Sequence, residues 1–484
     1  MRQLITRYAG CALALGLAGC AAGPDFHRPE APKARIEAPS LPDGDTQKIV
    51  AAMDIPGQWW TLFHCAPLDA LIADALRRNA DAQAAHAALQ AAWENVYAQR
   101  GAYFPQANAG YNPTRQDIAR DLASPAQSGA SLYSLTTAQV SVSYAPDLWG
   151  GTRRQVESLV ATAHAQRFQL EATYLTLTSN LVNAAITEAS LRAQIDATRE
   201  IVEAQSTILA TLQRQQALGD VSEAAVAAQQ AALEQSRAGQ PPLEKQLAQQ
   251  RDLLAALSGR MPNEQIDAQF TLDSLQLPAE LPLSLPAQLV EQRPDVRAAE
   301  EQLHAASAAI GVAAAARLPN VQINASFGRA AGKAGALFDA GSGFWNLGAG
   351  ITQPLFDGGT LKHKQRAAEA GYRQAAAEYR GTVLAALQNV ADVLHAVEAD
   401  ARALQAAQHA ERAAARSLDI ARKQLALGDL SESALLNAQL AWQQARIALV
   451  QAQAGRYADT VALFQAAGGG WWHRDDTVEA VGAR

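Results

Sequence analysis

Proline is missing from two long stretches of the 484-residue sequence: none stands between Pro146 and Pro241, and none follows Pro354. Tracts without a helix breaker can hold very long helices, so this length is better spent on a few long elements than on several compact domains. Aromatic residues make up only 6% and charged residues 18% of an Ala- and Gln-rich chain. The formal net charge of −7 lacks the basic excess that a nucleic-acid partner requires. Beyond the N-terminal leader no apolar run approaches the roughly 18 residues of a membrane-crossing helix. The nine histidines are scattered, with no zinc-ligand spacing to a Cys or carboxylate, and no glycine turn carries the lysine of a phosphate-cradling loop. The pattern offers no catalytic residue, no metal or cofactor site and no source of energy.

Of the three cysteines, two lie at the N-terminus. Arg2 and Arg7, an apolar stretch from Tyr8 to Gly19, and then Cys20 read as a secretory signal peptide over residues 1–19. Leu17-Ala18-Gly19-Cys20 resembles a bacterial lipobox, which implies that Cys20 becomes the lipidated first residue; an unlipidated leader with an incidental Cys20 is the plainer alternative. Ala21 is not the Asp of an inner-membrane retention signal, which points to outer-membrane sorting. Cys65 is then alone, and no intrachain disulfide is possible in the mature protein. Residues 20–58, with Pro24, Pro29, Pro32, Pro39 and Pro42, read as a lipidated, extended tether.

Trp59-Trp60-x-x-Phe63 opens a short helical region, Leu68 to Arg78 and then Asp81 to about Gln99. Near Gly101 the hydrophobic period changes from 3.6 to 2. Val321, Ile323, Ala325 and Phe327 alternate with Gln322, Asn324 and Ser326; Trp345, Leu347, Ala349 and Ile351 alternate with Asn346, Gly348, Gly350 and Thr352. Ala138, Val140, Val142 and Tyr144 repeat the pattern against Gln139, Ser141 and Ser143, and a weaker copy runs from Gln106 to about Arg115. Strands of about ten residues, apolar on one side and polar on the other, fit a lipid-facing barrel. A half-buried soluble hairpin fits the same alternation. Asp121–Ala130 and Ala331–Gly341 read as loops between the paired strands.

Each second strand enters a turn, Pro146…Gly150-Gly151-Thr152 or Pro354…Gly358-Gly359-Thr360, followed by a long helix. From Arg153 to Gln216 the apolar positions Val156, Val160, Ala163, Leu170, Tyr174, Leu177, Leu181, Ala184, Leu191, Ile195, Val202, Leu209 and Leu212 step by three and four, with Arg167, Glu188, Thr198 and Gln205 in the gaps. That is a coiled-coil seam. A soluble coiled-coil dimer shares the seam but leaves the strands unexplained. The helix stops at Leu218-Gly219-Asp220-Val221-Ser222-Glu223, and the same stop returns as Leu427-Gly428-Asp429-Leu430-Ser431-Glu432, 209 residues on from Gly219 to Gly428. Glycine at a helix stop and Ser at the next start make each copy the tip of a helical hairpin. The return helix from Ser222 is expected to break at Pro241-Pro242.

The duplication covers nearly the whole mature chain: Asp81 to Ala92 matches Asp295 to Ala306, Pro105 matches Pro319, and turns and tips follow in step. Repeat 1 spans 59–258, with strands at about 103–117 and 131–146 and long helices 150–216 and 222–258; a linker follows over 259–285. Repeat 2 spans 286–466, with strands at about 319–331 and 342–356 and helices 358–426 and 430–466, before a tail over 467–484. Four strands cannot close a barrel, since about eight are the fewest that fill one. An open edge in lipid costs several kcal/mol per unpaired group. If the strands are membranous, several chains must pool them, and three chains supply twelve.

In order along the chain, Cys20-x-x-Gly23-Pro24-Asp25-Phe26, Trp59-Trp60-x-x-Phe63, Tyr144-x-x-Asp147-Leu148-Trp149-Gly150, Arg293-Pro294-Asp295-Val296-Arg297-Ala298-Ala299-Glu300, Ile310-Gly311-Val312, Gln353-Pro354-Leu355-Phe356-Asp357-Gly358-Gly359 and Gly468-Gly469-Gly470-Trp471 resemble the outer-membrane efflux factor family, TolC-like channels, and its NodT-type lipoprotein branch. The resemblance implies a mostly α protein with a membrane β-barrel portion: a homotrimer with a twelve-strand outer-membrane barrel in outer-membrane lipid and a long periplasmic α-helical barrel. It implies an exit duct whose partners are a periplasmic adaptor and an inner-membrane pump, in a branch found with RND, major-facilitator and aromatic-acid exporter pumps. The family's tip signature Gly-x-x-Ser falls on Gly219/Ser222 and Gly428/Ser431, so Leu218, Gly219, Asp220, Ser222, Leu427, Gly428, Asp429 and Ser431 are the expected adaptor-docking residues. Plain helix capping is their other reading.

Where the family often closes its aperture with an acid in a Leu-Leu-Asp-Ala-Gln context, this sequence has Leu435-Leu436-Asn437-Ala438-Gln439. Aperture candidates are therefore Asp220, Glu223, Asp429, Glu432 and Asn437, the acids forming a ring in the trimer or serving only as solvated caps. A coiled-coil envelope lipoprotein with an adhesive or spacing role and no through-channel is the competing class; trimeric mass with large single-channel conductance separates the two.

Overall fold

A computed structural model of the protein describes residues 21–30, 38–42, 45–119, 131–264, 266–283 and 286–474. The signal peptide, Cys20 and the expected loop Asp121–Ala130 lie outside them. In chain order the regular elements are β1 Lys48–Ala51, α1 Ala66–Arg78, α2 Ala80–Arg100, β2 Gln106–Asp117, β3 Leu132–Tyr144, α3 Gly151–Leu218 and α4 Glu223–Leu257. Then come β4 Glu280–Leu283, α5 Pro286–Gln292, α6 Pro294–Ala315, β5 Asn320–Ala331, β6 Gly343–Thr352, α7 Thr360–Leu427 and α8 Glu432–Ala466.

The two long helices are each 68 residues and the two return helices each 35. At 1.5 Å per residue the long ones extend about 100 Å. Each starts on a carboxylate that accepts from the first free amides: Asp147 takes the Thr152 and Arg153 N–H at 3.0 and 2.8 Å, and Asp357 takes those of Gly359 and Leu361, both at 2.8 Å. Those amides hold the Asp357 carboxyl below the usual carboxylate range.

The expected break at Pro241-Pro242 does not occur, because α4 runs through both prolines. The prolines leave the carbonyls of Arg237 and Ala238 without their helical donors, and both residues are exposed. Water can serve those carbonyls there, so the usual penalty for an interior proline is softened.

The chain divides into two compact units, each drawing on both repeats. The first comprises residues up to 28 together with 90–165 and 299–379, and it holds a four-stranded antiparallel sheet in the order β2-β3-β5-β6. The register aligns the alternation across all four strands: Ala109, Val140, Phe327 and Trp345 face one way in one row, and Asn108, Ser141, Ser326 and Asn346 face the other in the next. Among the described residues no helix covers the apolar side. Trp345 is 79% exposed, Ile351 74% and Phe327 68%. The strands are shorter than the pattern suggested. Gly101–Tyr103 form a 3-10 turn before β2, and β6 ends at Thr352, ahead of Gln353-Pro354, since proline cannot donate to a ladder.

The second unit comprises residues 29–89, 166–298 and 380–484, and it carries the main core. Trp59 stacks on Phe464 at 5.5 Å, and Phe63, Leu68, Ile72 and Phe270 are fully buried beside them. Two segments expected to be irregular contribute a sheet: β1, from the tether, pairs in parallel with β4, from the linker, Ile49 opposite Leu281. Neither strand has a local signal, because each is four residues long and its partner lies some 230 positions away. In the seam of α3 the polar gap-fillers Glu188, Thr198 and Gln205 are buried. Glu188 is fully so, and it is bound by Arg192 at 2.7 Å and Arg251 at 3.0 Å, while Arg251 also donates to the Ile266 carbonyl. In repeat 2 Arg456 is buried, pairs with Asp45 at 3.1 Å and donates to the Val397 carbonyl. Asp400 and Asp459 stand by it. Burial first, and then the neighbouring Asp400 charge, push the Asp459 carboxyl up to about 6.

Candidate functional site

Both hairpin tips lie in the second unit and are built the same way. At the first, Asp220 N–H donates to the Gln215 carbonyl at 2.9 Å and Gly219 N–H to Gln216 at 3.0 Å; at the second, Asp429 donates to Gln424 and Gly428 to Leu425, both at 3.0 Å. These paired bonds close the last helical turn only if the glycine takes a left-handed backbone, and Gly219 and Gly428 sit at φ +87° and +78°. Leu218 and Leu427 are thrust outward, 78% and 76% exposed, beside exposed Asp220 and Asp429.

The two serines differ. Ser222 caps α4 by accepting the Ala225 N–H at 3.3 Å, whereas the Ser431 hydroxyl turns to Ser433 Oγ at 3.0 Å and caps nothing through its side chain. Ser431 still stands at the N-cap of α8, its carbonyl accepting the Ala434 N–H at 3.1 Å, so capping there runs through the backbone while Ser433 takes the hydroxyl.

The tips share a groove of about 420 Å³, lined by Leu212, Ser222, Gln229, Leu425, Ser431 and Gln439. The fold thus brings both predicted serines to one cleft. Glu223 and Asn437 are exposed, and the Glu432 side chain lies outside the described residues. Leu418, Ala421 and Leu435 pack together with Ile208 and Trp442, and Ile208 and Leu435 also line the groove. Further up, Arg446 bridges α8 to α3 through Glu200 at 2.8 Å. Gln205 and Gln439 are buried, and among the described residues neither the oxygen nor the nitrogen of either side-chain amide has a hydrogen-bond partner. Glutamine-rich composition hid these two among many solvated glutamines.

Pattern reading also missed how the first unit holds the segment after Cys20. Ala22 N–H donates to the Trp149 carbonyl at 2.8 Å. Buried Arg154 pairs with Asp25 at 2.6 Å and Glu157 at 2.8 Å, and its hydrogen bond, then its charge, hold the Asp25 carboxyl below the usual range. Phe26 stacks on His304 at 4.4 Å, and His304 in turn meets Glu157 at 3.1 Å. Gly23 crosses Gly311 so closely that a Cβ on either would overlap backbone. Two glycines singled out only by resemblance are therefore one crossing point.

Among the described residues no helix is long and apolar enough to cross a membrane, and no group of three His, Cys, Asp or Glu could hold a metal ion. What the molecule presents is a bare apolar sheet face, a fastened N-terminal segment and two exposed tips.

The family model described as outer membrane efflux protein matches residues 71–260 and 285–469. The probable efflux pump outer membrane protein SepC of Pseudomonas putida is 30% identical over 483 residues, covering 96% of this chain and 97% of that protein. The pyoverdine export outer membrane protein OpmQ of Pseudomonas aeruginosa is 29% identical over 417 residues, 86% of this chain and 87% of the relative. Among solved structures, the open state of the Neisseria gonorrhoeae MtrE outer membrane channel superposes with a TM-score of 0.82 at 25% identity, covering 95% of this chain and all of that one.

Proposed function

This chain belongs to the outer membrane efflux protein family, and on that premise we propose that three copies form one outer-membrane exit channel of a tripartite efflux system. The observation that carries the reading is the sheet: four strands with a continuous bare apolar face and two edges, β2 and β6, unpaired among the described residues. Exposed Trp, Phe, Ile and Leu side chains on one face are costly in water and at home in lipid. Lipid in turn forbids the open edges, so the sheet must close on other copies. Three copies, the number the family resemblance implies, give twelve strands.

Lipidation of Cys20 is supported by the placement of the next residue. Ala21 packs on Gly150, in the turn between β3 and α3, at the end of the sheet where the long helix begins. Acyl chains on Cys20 would enter the leaflet at that rim. At the far end of α3 and α7, Leu218, Gly219, Asp220 and Ser222 together with Leu427, Gly428, Asp429 and Ser431 offer an adaptor two apolar prongs, four hydroxyl or carboxylate groups and a groove between them. The duct is passive, and the inner-membrane pump supplies the drive. Native mass in detergent and planar-bilayer recording test the reading: a trimer with large, long-lived conductance is expected. A stable lone subunit that never inserts would refute it.

A further inference from the structure

Two motifs that the channel reading leaves unused meet in the second unit. The segment before Trp59-Trp60 and the glycine turn after α8, Gly468-Gly469-Gly470-Trp471, cross at contact distance. A Cβ on Gly57 would stand 2.8 Å from the His473 carbonyl oxygen, and one on Gly470 would overlap the Pro56 carbonyl. Beside the crossing lies a cavity of about 560 Å³, with Trp60 on one side, Asp69, Ala73 and Leu76 on another, and His473 and Arg474 on a third. Asp69, Ala73 and Leu76 are spaced by four and three, so they form one stripe of α1. A volume of that size falls within the range of sites for small organic molecules, roughly 300–1,000 Å³.

The charges around the cavity are unequally matched. Arg474 pairs with Glu171 at 3.1 Å and lies over the Tyr174 ring at 4.2 Å. His473 meets Asp54 at 2.8 Å. Asp69 Oδ1, by contrast, is buried with no hydrogen-bond partner among the described residues, and no Lys or Arg there pairs with the carboxylate. Burial, opposed by the charge of His64, raises this carboxyl above the usual range. A carboxylate drawn out of water costs free energy until a cation or a donor reaches it. The cavity has room for that missing partner. A bare metal ion does not fit, since no group of three His, Cys, Asp or Glu among the described residues could hold one. An ammonium group needs no such set: it donates to one carboxylate, and the Trp60 indole, Ala73 and Leu76 offer its carbon skeleton an apolar wall.

We propose that this cavity binds a small organic cation, with its ammonium group on the Asp69 carboxylate and its apolar body against Trp60, Ala73 and Leu76. The site is complete within one subunit, so its fate in experiment is separate from that of the trimer.

Calorimetric titration of the full chain in detergent with 2-phenylethylamine, a cation at pH 8, is expected to saturate at one molecule per subunit. The neutral analogue 2-phenylethanol is expected to bind at least about tenfold more weakly, and phenylacetate not at all. Asp69→Asn is expected to lose the preference for amine over alcohol. Without the probe it should melt at the parent's temperature or higher, because a poorly solvated charge is gone. Ala73→Phe fills the cavity from α1 and is expected to abolish amine binding with the carboxylate still in place. No saturable binding to the parent, or equal affinity for amine and alcohol, overturns the proposal without reference to any variant. Amine binding that survives either substitution puts the ligand elsewhere and overturns it as well. So does a marked loss of stability in Asp69→Asn, which would show the carboxylate to be held by the protein itself.

Discussion

Asp459 gives the sharpest pH prediction. It sits half-buried on α8 beside Asp400 of α7, with Arg456, itself paired to Asp45, as the neighbouring cation. Burial and the Asp400 charge raise its pKa from 3.8 to about 6. A displacement of that size corresponds to about 3 kcal/mol between the two protonation states. Solvent access at a half-buried site reduces it to about 1–2 kcal/mol. The sign follows from proton binding. Between pH 4 and 6 the folded chain keeps a proton that the unfolded chain releases, so this group's contribution to stability falls as pH rises through that window and stays low above it. Asp459→Asn carries no charge at any pH. It should match wild type near pH 4 and exceed it by about 1–2 kcal/mol at pH 8, a gain of a few degrees in thermal unfolding. Paired melts in detergent at pH 4.5 and 8 read the difference. An equal effect at both values, or a loss at pH 8, would refute the assignment of a destabilising carboxylate pair.

Glu188→Ala leaves Arg192 and Arg251 facing a buried void without their carboxylate, and should cost about 3–5 kcal/mol in chemical denaturation; a cost under about 1 kcal/mol would show the node to be hydrated. Gln439→Leu removes two buried amide atoms that have no hydrogen-bond partner among the described residues, so the isolated protein should melt at the same or a higher temperature, by about 1 kcal/mol equivalent. A marked loss would mean that a neighbouring copy satisfies the amide. Asp220→Asn/Asp429→Asn removes two of the exposed tip acids of each subunit, and single-channel recording should show more frequent opening and weaker cation preference; unchanged traces would reduce these acids to solvated caps.

Local chemistry explains which features were legible in the sequence. A tip is written within six residues: glycine for the left-handed turn, serine for the next start, and the two copies form the same bonds. The strand faces were legible because alternation has a period of two, and the observed register keeps Val140, Phe327 and Trp345 on one side. What stayed hidden depends on partners distant in sequence. Arg154 looks like any surface arginine at a helix start until Asp25, 129 residues earlier, comes to it. β1 and β4 are too short to announce themselves apart. Pro241-Pro242 misled for the opposite reason: a local rule was overridden by solvent reaching the freed carbonyls.

The duplication is close in length but not in charge, and the departures have a common purpose. Glu188 in α3 and Val397 in α7 are equivalent positions, 209 residues apart. At this level of repeat 1 the buried charge is that carboxylate, and Arg251 links it to the Ile266 carbonyl of the linker. Beside the equivalent position in repeat 2 the buried charge is the opposite one: Arg456 reaches the Val397 carbonyl and Asp45 of the N-terminal segment. Two equal hairpins would bind either strap indifferently. With a buried anion in one and a buried cation in the other, a strap that brought the wrong sign would leave two like charges out of water, a cost of several kcal/mol. Asp45 can therefore settle only on repeat 2. In the proposed trimer a nearly six-fold wall would thereby carry straps that are only three-fold, with the linker and Asp45 each directed to its own hairpin.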